Sequence, residues 1–349
     1  MIRGSAVVVV VLVFAAGGVG AGTQPDATSP SWSPDAGQVA FAYVDSSKFR
    51  IVAAPAVGSG PIRTIYAARN ADGCCDPMQW GAAGRILFVT NYTLMSLPAG
   101  GGKPTRLFSS TPWFILSPNR EVAALTDGCG CGHAPDAVGL VNISGGKPRV
   151  IAKPAKASDE IDSFSPDGTE LVFTRYRAVN DGPVGQPILM AAHIGGGAAV
   201  PLSKSGLLGS ASLPAGARQL QWSPDGHWIA FVVGLKLEVV STAPGTPRVL
   251  ATHFGADAFS WSPDSTLLAY DCCSNKPTRS LMTVDPQGTH RTVLWNDPSL
   301  HYLNEDSLDW PQWSPDGSKL VFMARSGPGY PPIQIWTVGA DGSGLARIG

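Results

Sequence analysis

The sequence predicts an all-β chain, a seven-bladed β-propeller of four-stranded antiparallel blades, closed without an interlocking strand. Three observations predict it. A short motif recurs seven times at intervals of 36 to 58 residues. An apolar, strand-like run follows each copy at a nearly fixed distance. The 349 residues include 41 Gly and 30 Pro, about a fifth of the chain, where an average protein carries about 12%. Charged residues make up 15%, against about 25% usually. A chain so rich in turn formers and so poor in solvated helix faces is not a helical protein. With 25 Lys and Arg against 26 Asp and Glu, the net charge is −1. No basic stripe is present to displace counterions from phosphates, so nucleic acid is excluded as a partner. At 44% apolar residues the chain can build a real core, which excludes disorder.

The first element is an export signal over residues 1–21. Arg3 supplies the positive end, Ala6 to Ala16 the apolar stretch, and Val19-Gly20-Ala21 a small-residue cleavage site. A membrane span needs about 20 apolar residues, so the mature chain is expected not to span a membrane. It is expected to be exported, to the periplasm, cell envelope or medium, where disulfides persist. Residues 22–29 read as a flexible lead-in, and residues 30–349 as one propeller.

The seven units are set by their anchors. Trp-Ser-Pro-Asp occurs at Trp32, Trp222, Trp261 and Trp313. Phe164-Ser165-Pro166-Asp167 and Leu116-Ser117-Pro118-Asn119 are variants, and Trp80-Gly81-Ala82-Ala83 is a decayed copy. Nine residues after the anchor stands a large apolar residue: Phe41, Leu125, Phe173, Phe231, Tyr270 and Phe322. In the decayed unit Phe88 stands eight after. Each unit reads as strands A to D. In the last, Pro311 to Ser314 is strand A and Ser314-Pro315-Asp316-Gly317 a turn. Proline presets φ there, Ser and Asp bond nearby N–H groups, and Gly suits the fourth place. Lys319 to Met323, Ile333 to Val338 and Leu345 to Ile348 complete the unit. A lone meander cannot bury both faces. Radial packing around an axis buries them against each other, with the anchors filling the space between blades.

The repeat resembles the TolB-type, or WD40-like, propeller repeat. The resemblance rests on the anchor-Ser-Pro-Asp-Gly turns and the strands after them, and is closest in residues 220–231 (LQWSPDGHWIAF) and 311–322 (PQWSPDGSKLVF). It covers nearly all of residues 30–349 and implies the fold, while such repeats serve many roles. They also occur beside peptidase domains of the prolyl-oligopeptidase type. No Gly-x-Ser-x-Gly elbow is present here.

A meander sends its A–B and C–D turns to one end of the ring and its B–C and D–A connections to the other. The former are short and glycine-rich. The long connections, Arg175 to Gln186, Ser203 to Arg218 and Asn296 to Asp309, all belong to the second end, so a binding face is expected there. Its polar candidates are Arg175, Tyr176, Arg177, Asp181, His301, Tyr302, Glu305 and Tyr330. All six cysteines fall on that end: Cys74, Cys75, Cys129, Cys131, Cys272 and Cys273. An even count in an exported chain favours disulfides. Cys74 or Cys75 with Cys129 or Cys131 is the natural pairing, since units two and three are neighbours. Cys129, Cys131 and His133 also form a soft-donor cluster suited to copper or zinc. Asp76, Asp257 and Asp309 lie four residues before their anchors and Asp162 two before. Strand A is innermost in a propeller, so these carboxylates either converge on an axial cation such as Ca²⁺ or cap strand-entry amides. The caps are the favoured reading.

The leading functional reading is a non-enzymatic binding module, a monomer without a cofactor, that meets a protein, peptide or cell-envelope ligand. The alternatives are a propeller hydrolase or lyase with an axial cation, and a copper- or redox-handling protein using the cysteines.

Overall fold

A computed structural model describes residues 25–45, 48–56, 60–69, 77–111, 113–127, 137–154, 157–179, 182–183, 188–215, 217–252, 259–272, 280–296, 311–324 and 332–348. At 127, 177–179, 182–183 and 218 only the backbone is described. The chain forms seven sheets, each an A-B-C-D meander in chain order. Blade 1 is Asp26–Trp32, Gln38–Val44, Lys48–Pro55 and Arg63–Arg69, and blade 2 is Met78–Trp80, Arg85–Thr90, Thr93–Pro98 and Thr105–Ser109. Blade 3 is Phe114–Leu116, Val122–Asp127, Ala137–Asn142 and Arg149–Ala152. Blade 4 is Ala157–Phe164, Glu170–Val179, Ile188–His193 and Val200–Pro201, with Gly182–Pro183 paired to the end of its strand B. Blade 5 is Arg218–Trp222, Trp228–Val233, Lys236–Ser241 and Arg248–Thr252, and blade 6 is Phe259–Trp261, Leu268–Cys272, Ser280–Val284 and Arg291–Trp295. Blade 7 is Gln312–Trp313, Lys319–Ala324, Gln334–Gly339 and Ala346–Arg347. The innermost strand of blade 1 starts at Asp26, inside the stretch the sequence reads as a flexible lead-in.

The repeat motif explains the turns. In six blades the Ser hydroxyl donates to the Asp or Asn side chain two residues on, at 2.5–2.7 Å. The same acceptor oxygen takes the N–H two residues further along, at 3.0–3.1 Å. The Ser oxygen accepts the N–H at the start of strand B, at 2.9–3.0 Å. Each turn is closed by its own side chains. The turns also stack around the ring: Pro118 lies against Gly168, Pro166 against Gly226, and Pro263 against Gly317.

The fourth residue of each of these turns has positive φ, the region only glycine enters freely. Blades 4, 5 and 7 use Gly168, Gly226 and Gly317 there. Ala36, Arg120 and Ser265 occupy it in blades 1, 3 and 6. Two of these reach the preceding blade. Arg120 donates to the Trp80 carbonyl at 3.3 Å, and the Ser265 hydroxyl accepts from the Asp225 N–H at 3.0 Å. Ala36 has no such reach. Ala36→Gly is therefore expected to raise stability by about 0.5–1 kcal/mol, while Ser265→Gly, which also loses a bond worth about 1 kcal/mol, brings no gain. Urea midpoints of the two variants check this. A gain from Ser265→Gly equal to that from Ala36→Gly would mean the bond between turns contributes nothing.

The seven residues at the fixed offset from the anchors are all fully buried, one per blade. The anchors sit between blades, as expected. Trp261 donates its indole N–H to the Gln221 carbonyl of blade 5 at 3.3 Å, and Trp313 to the Ser260 carbonyl of blade 6 at 3.1 Å. Each acceptor is the residue just before the preceding anchor. Trp32 makes the same bond to the Gln312 carbonyl of blade 7 at 3.0 Å, so the ring closes with the contact it uses internally. Ala27 N–H to the Ile333 carbonyl at 2.9 Å and Ile333 N–H to Asp26 Oδ1 at 2.7 Å complete the closure. Behind them Phe41 and Ile51 share one core with Val321, Met323, Ile333 and Ile335. Among the described residues no strand is exchanged between the first and last blades.

The outer strands are exposed edges, which invite pairing with other chains. The C–D pairs of blades 1, 2, 3, 5 and 6 each carry a register shift. Arginines tie these edges to the next blade: Arg63 to the Ala99 carbonyl at 2.9 Å, Arg149 to that of Ile194, and Arg248 to that of Pro286 at 3.1 Å. A kinked edge whose cation is already committed is a poor template for aggregation.

Candidate functional site

The end of the ring that carries the B–C and D–A connections is the candidate face. Blade 4 reaches furthest toward it. Its strand B runs ten residues to Val179 and pairs with strand A as far as Ala157 opposite Arg177. Arg175, Tyr176 and Arg177 are therefore strand residues, where the sequence suggests the start of a loop. Arg175 is a quarter exposed and grips the fully buried Asp159 with two bonds, Nε to Oδ1 and Nη2 to Oδ2, both 2.7 Å. Its guanidinium lies 5.6 Å from the Phe173 ring centre. Phe173 packs with Ala124, Val138 and Leu140 of blade 3, so this ion pair caps the seam between blades 3 and 4. A bidentate pair orients the guanidinium plane, and the Asp159 bond strengthens its hold on its proton.

The other face of blade 4 meets blade 5. Asp162 sits at a register shift in strand A, between Ile161 and Ser163. Its Oδ2 accepts the Thr174 hydroxyl at 2.7 Å, and its carboxylate accepts the N–H groups of Gln219 and Leu220 on strand A of blade 5. Gln219 stands at a matching register shift with φ 53°. Asp162 keeps a little exposed surface, but its carboxyl group is enclosed. Burial pushes it up to about 7, helped by the negative charge of Glu160 and opposed by the three donors. Three protein donors thus converge on it.

The long connection from blade 4 to blade 5 departs from the expectation: it opens with a 3₁₀ turn at Leu202–Lys204, and its Ser210 N–H bonds the Thr242 carbonyl in the C–D turn of blade 5 at 3.1 Å, so it reaches the turn end of the ring. The other described features of the candidate face are hairpin tips. Asn91 and Tyr92, with φ 47° and 55°, join strands B and C of blade 2. That is the two-residue turn in which glycine is usual at the second place, yet a tyrosine 51% exposed stands there. Blade 5 turns at Gly234, with φ 58°, and presents Leu235 at 61% exposure. Ile188, at the start of strand C of blade 4, is 54% exposed. Sequence reasoning passed over all three, although two residues between apolar runs are a hairpin signal.

Cys272 ends strand B of blade 6, nearly buried, and is disulfide-bonded. Every other cysteine, and so its partner, lies outside the described residues: Cys74, Cys75, Cys129, Cys131 and Cys273. His133, Asp76, Asp257, Asp309, Asp181, His301, Tyr302, Glu305 and Tyr330 also lie outside them, and so does the side chain of Arg177. Among the described residues no group of three His, Cys, Asp or Glu is placed to hold a metal ion.

The chain carries the β-propeller fold of several solved proteins. A puromycin hydrolase structure superposes with TM-score 0.64 at 15% identity, over 93% of this chain and 53% of that one. An oligogalacturonate lyase in complex with manganese gives 0.62 at 10% identity, over 91% and 89%. TolB from Acinetobacter baumannii gives 0.44 at 15% identity, over 76% and 53%. This chain thus spans about half the length of the hydrolase and TolB structures. At such identities the likeness is one of fold. No protein-family model and no curated protein matches the sequence.

Proposed function

We propose that this chain is an exported, non-enzymatic propeller that binds a protein, peptide or cell-envelope ligand across the end bearing the B–C and D–A connections. One observation carries the reading: the two ends of the ring are built differently. At the turn end, side chains close six of the turns on themselves and join several of them to their neighbours. At the connection end, Tyr92, Ile188 and Leu235 hold apolar surface in water on short hairpins and strands, at 51–61% exposure against 42% and 44% for Ile62 and Leu345 at the turn end. Rigid strands under exposed apolar tips lower the ordering cost of binding. A tyrosine kept at positive φ without packing is the kind of local strain that gathers at binding sites. The N-terminal apolar stretch supports export.

The test places a photo-crosslinking amino acid at Tyr92 or Leu235, and at Ser343 on the turn end, in protein exposed to cell-envelope extract. Discrete adducts from the first two sites and none from Ser343 are expected. The triple variant Tyr92→Ser, Ile188→Ser, Leu235→Ser is expected to weaken capture of that adduct's partner tenfold or more, since each buried apolar side chain contributes about 1.5–3 kcal/mol. Adducts from Ser343 alone, or undiminished capture by the triple variant, would remove the proposal.

A further inference from the structure

The B–C hairpin of blade 2 and the connection after its strand D form one braced platform on the candidate face. Thr111, fully buried, ties the two together. Its N–H donates to the Tyr92 carbonyl at 2.9 Å and its hydroxyl to the Trp113 carbonyl at 2.8 Å. Trp113 is partly exposed and packs against the core shared by blades 3 and 4. Asn91, Tyr92 and Ser110 all have positive φ, at 47°, 55° and 66°. Of the nine described non-glycine residues in that region, four stand in A–B turns and two at register shifts of strand A. The other three are these, gathered at one end of one blade. Strain of this kind collects where a side chain has a task.

The side chains narrow the ligand. Tyr92 offers a ring 51% exposed. Beside it Asn91, Ser109 and Ser110 are exposed, and among the described residues their side chains make no hydrogen bond. Hydroxyl and carboxamide groups both donate and accept. No residue of 90–93 or 109–113 is charged. The strands and turns of blade 2 contain no acidic residue, and their three cations, Arg85, Lys103 and Arg106, stand at the turn end. An extended peptide docks through main-chain bonds to an open strand edge. Here both tip carbonyls are taken, that of Asn91 by the Thr93 hydroxyl at 3.3 Å and that of Tyr92 by Thr111. Recognition falls to an aromatic face and neutral polar groups. A neutral sugar ring presents the matching pair, an apolar C–H face for the aromatic ring and a rim of hydroxyls that donate and accept.

We propose that this platform binds a neutral glycan, with one sugar ring stacked on Tyr92 and its hydroxyls met by Asn91, Ser109 and Ser110. The inference rests on the binding face argued above and names the chemistry of its ligand. The braced backbone leaves little to order on binding.

Titration of the isotope-labelled full chain with cellotetraose, maltotetraose and N-acetylated chitotetraose, each to about 10 mM, tests it by amide resonances. At least one of the three is expected to shift the Asn91, Tyr92 and Ser110 amides saturably, while tetragalacturonate leaves them in place. Tyr92→Phe keeps the ring and is expected to bind nearly as the wild type does. Tyr92→Gly removes the ring but suits the positive φ. It is expected to keep a urea midpoint near that of the wild type and to bind tenfold or more weakly. No saturable shift from any of the three neutral sugars, binding of tetragalacturonate as tight as theirs, or undiminished affinity in Tyr92→Gly would overturn the proposal. Crosslinking at Tyr92 separates it from the reading beneath it. Adducts to a protein, with no response to the sugars, would remove the glycan and keep the face. Adducts from Ser343 alone would remove the face itself.

Discussion

Trp32→Ala is expected to cost about 3–5 kcal/mol, the usual loss for a large aromatic removed from a packed core, and to unseal the ring. Two effects add. The indole fills the space between blades 1 and 7, and its N–H satisfies the Gln312 carbonyl, which is left without that donor. Trp261→Ala removes the same indole and the same kind of bond, to the Gln221 carbonyl. The two seams differ in one respect. Blades 5 and 6 are joined by the chain itself, so a weakened seam 5–6 still has its strands held at high effective concentration. Blades 7 and 1 are not consecutive in the chain, and among the described residues they share no strand. Loss of packing there is opposed only by the Ala27 to Ile333 and Ile333 to Asp26 bonds and the core behind them. The amides of Ala27 and Ile333 are therefore expected to exchange at least tenfold faster in Trp32→Ala than in Trp261→Ala, at similar global stability by urea. Equal protection in the two variants would mean that the ring does not rely on its closing anchor. Trp32→Phe keeps most of the packing and loses only the bond, so its cost is expected to be nearer 1 kcal/mol.

The repeat made much of this architecture legible. A turn chemistry that depends on residues two and five apart is written locally. Ser33, Asp35 and Gln38 are enough to specify the first turn, and the same spacing recurs in five other blades. The buried residue nine after each anchor follows once the turn fixes the phase of strand B. Long-range pairing is not written that way. Arg175 to Val179 reads as a loop because Asn180, Asp181, Gly182 and Pro183 announce a turn. Their neighbours become strand only because Ala157 to Ile161, polar and not visibly alternating, lies alongside. Asp159 gave no signal at all, since its importance comes from Arg175 sixteen residues away. Asp162 was visible only as an offset from an anchor, which could not distinguish an axial ligand from a carboxyl turned to the next blade. The arginines that open most D strands were a missed signal. Arg63, Arg149, Arg248 and Arg291 open their D strands and Arg106 and Arg347 stand one residue further in, a regularity that neutral surface residues do not keep.

Asp162→Asn is expected to flatten the protein's pH–stability profile between about pH 4 and pH 7. The sign follows from comparing folded and unfolded affinities for the proton. The aspartates of the repeat turns, Asp35, Asp167, Asp264 and Asp316, are held below the ordinary carboxylate range, first by the serine hydroxyl two residues before and then by backbone N–H groups. They contribute stability that is present above about pH 4 and is lost as the pH falls through their folded values. Asp162 is the opposite case, since it binds its proton up to about 7 when folded and at 3.8 when free. Its contribution is fully present below 3.8 and is lost as the pH rises through 7. At about 1.4 kcal/mol per tenfold change in proton affinity, the loss approaches 4 kcal/mol at most, less whatever the seam recovers by opening and hydrating the charge. Stability is therefore expected to peak near pH 4, to fall between about pH 4 and pH 7 and to level off above pH 7. In Asp162→Asn, which resembles the protonated form, that decline is expected to be smaller by several kcal/mol. The variant would then match the wild type near pH 4, lead it by about 1.5 kcal/mol at pH 5 and hold its full lead from pH 7 upward. All other titrating groups are common to the two chains, so the difference between their urea midpoints isolates this carboxyl. Parallel profiles from pH 5 to pH 8 would show that Asp162 is ionised throughout that range, with its three donors outweighing its burial.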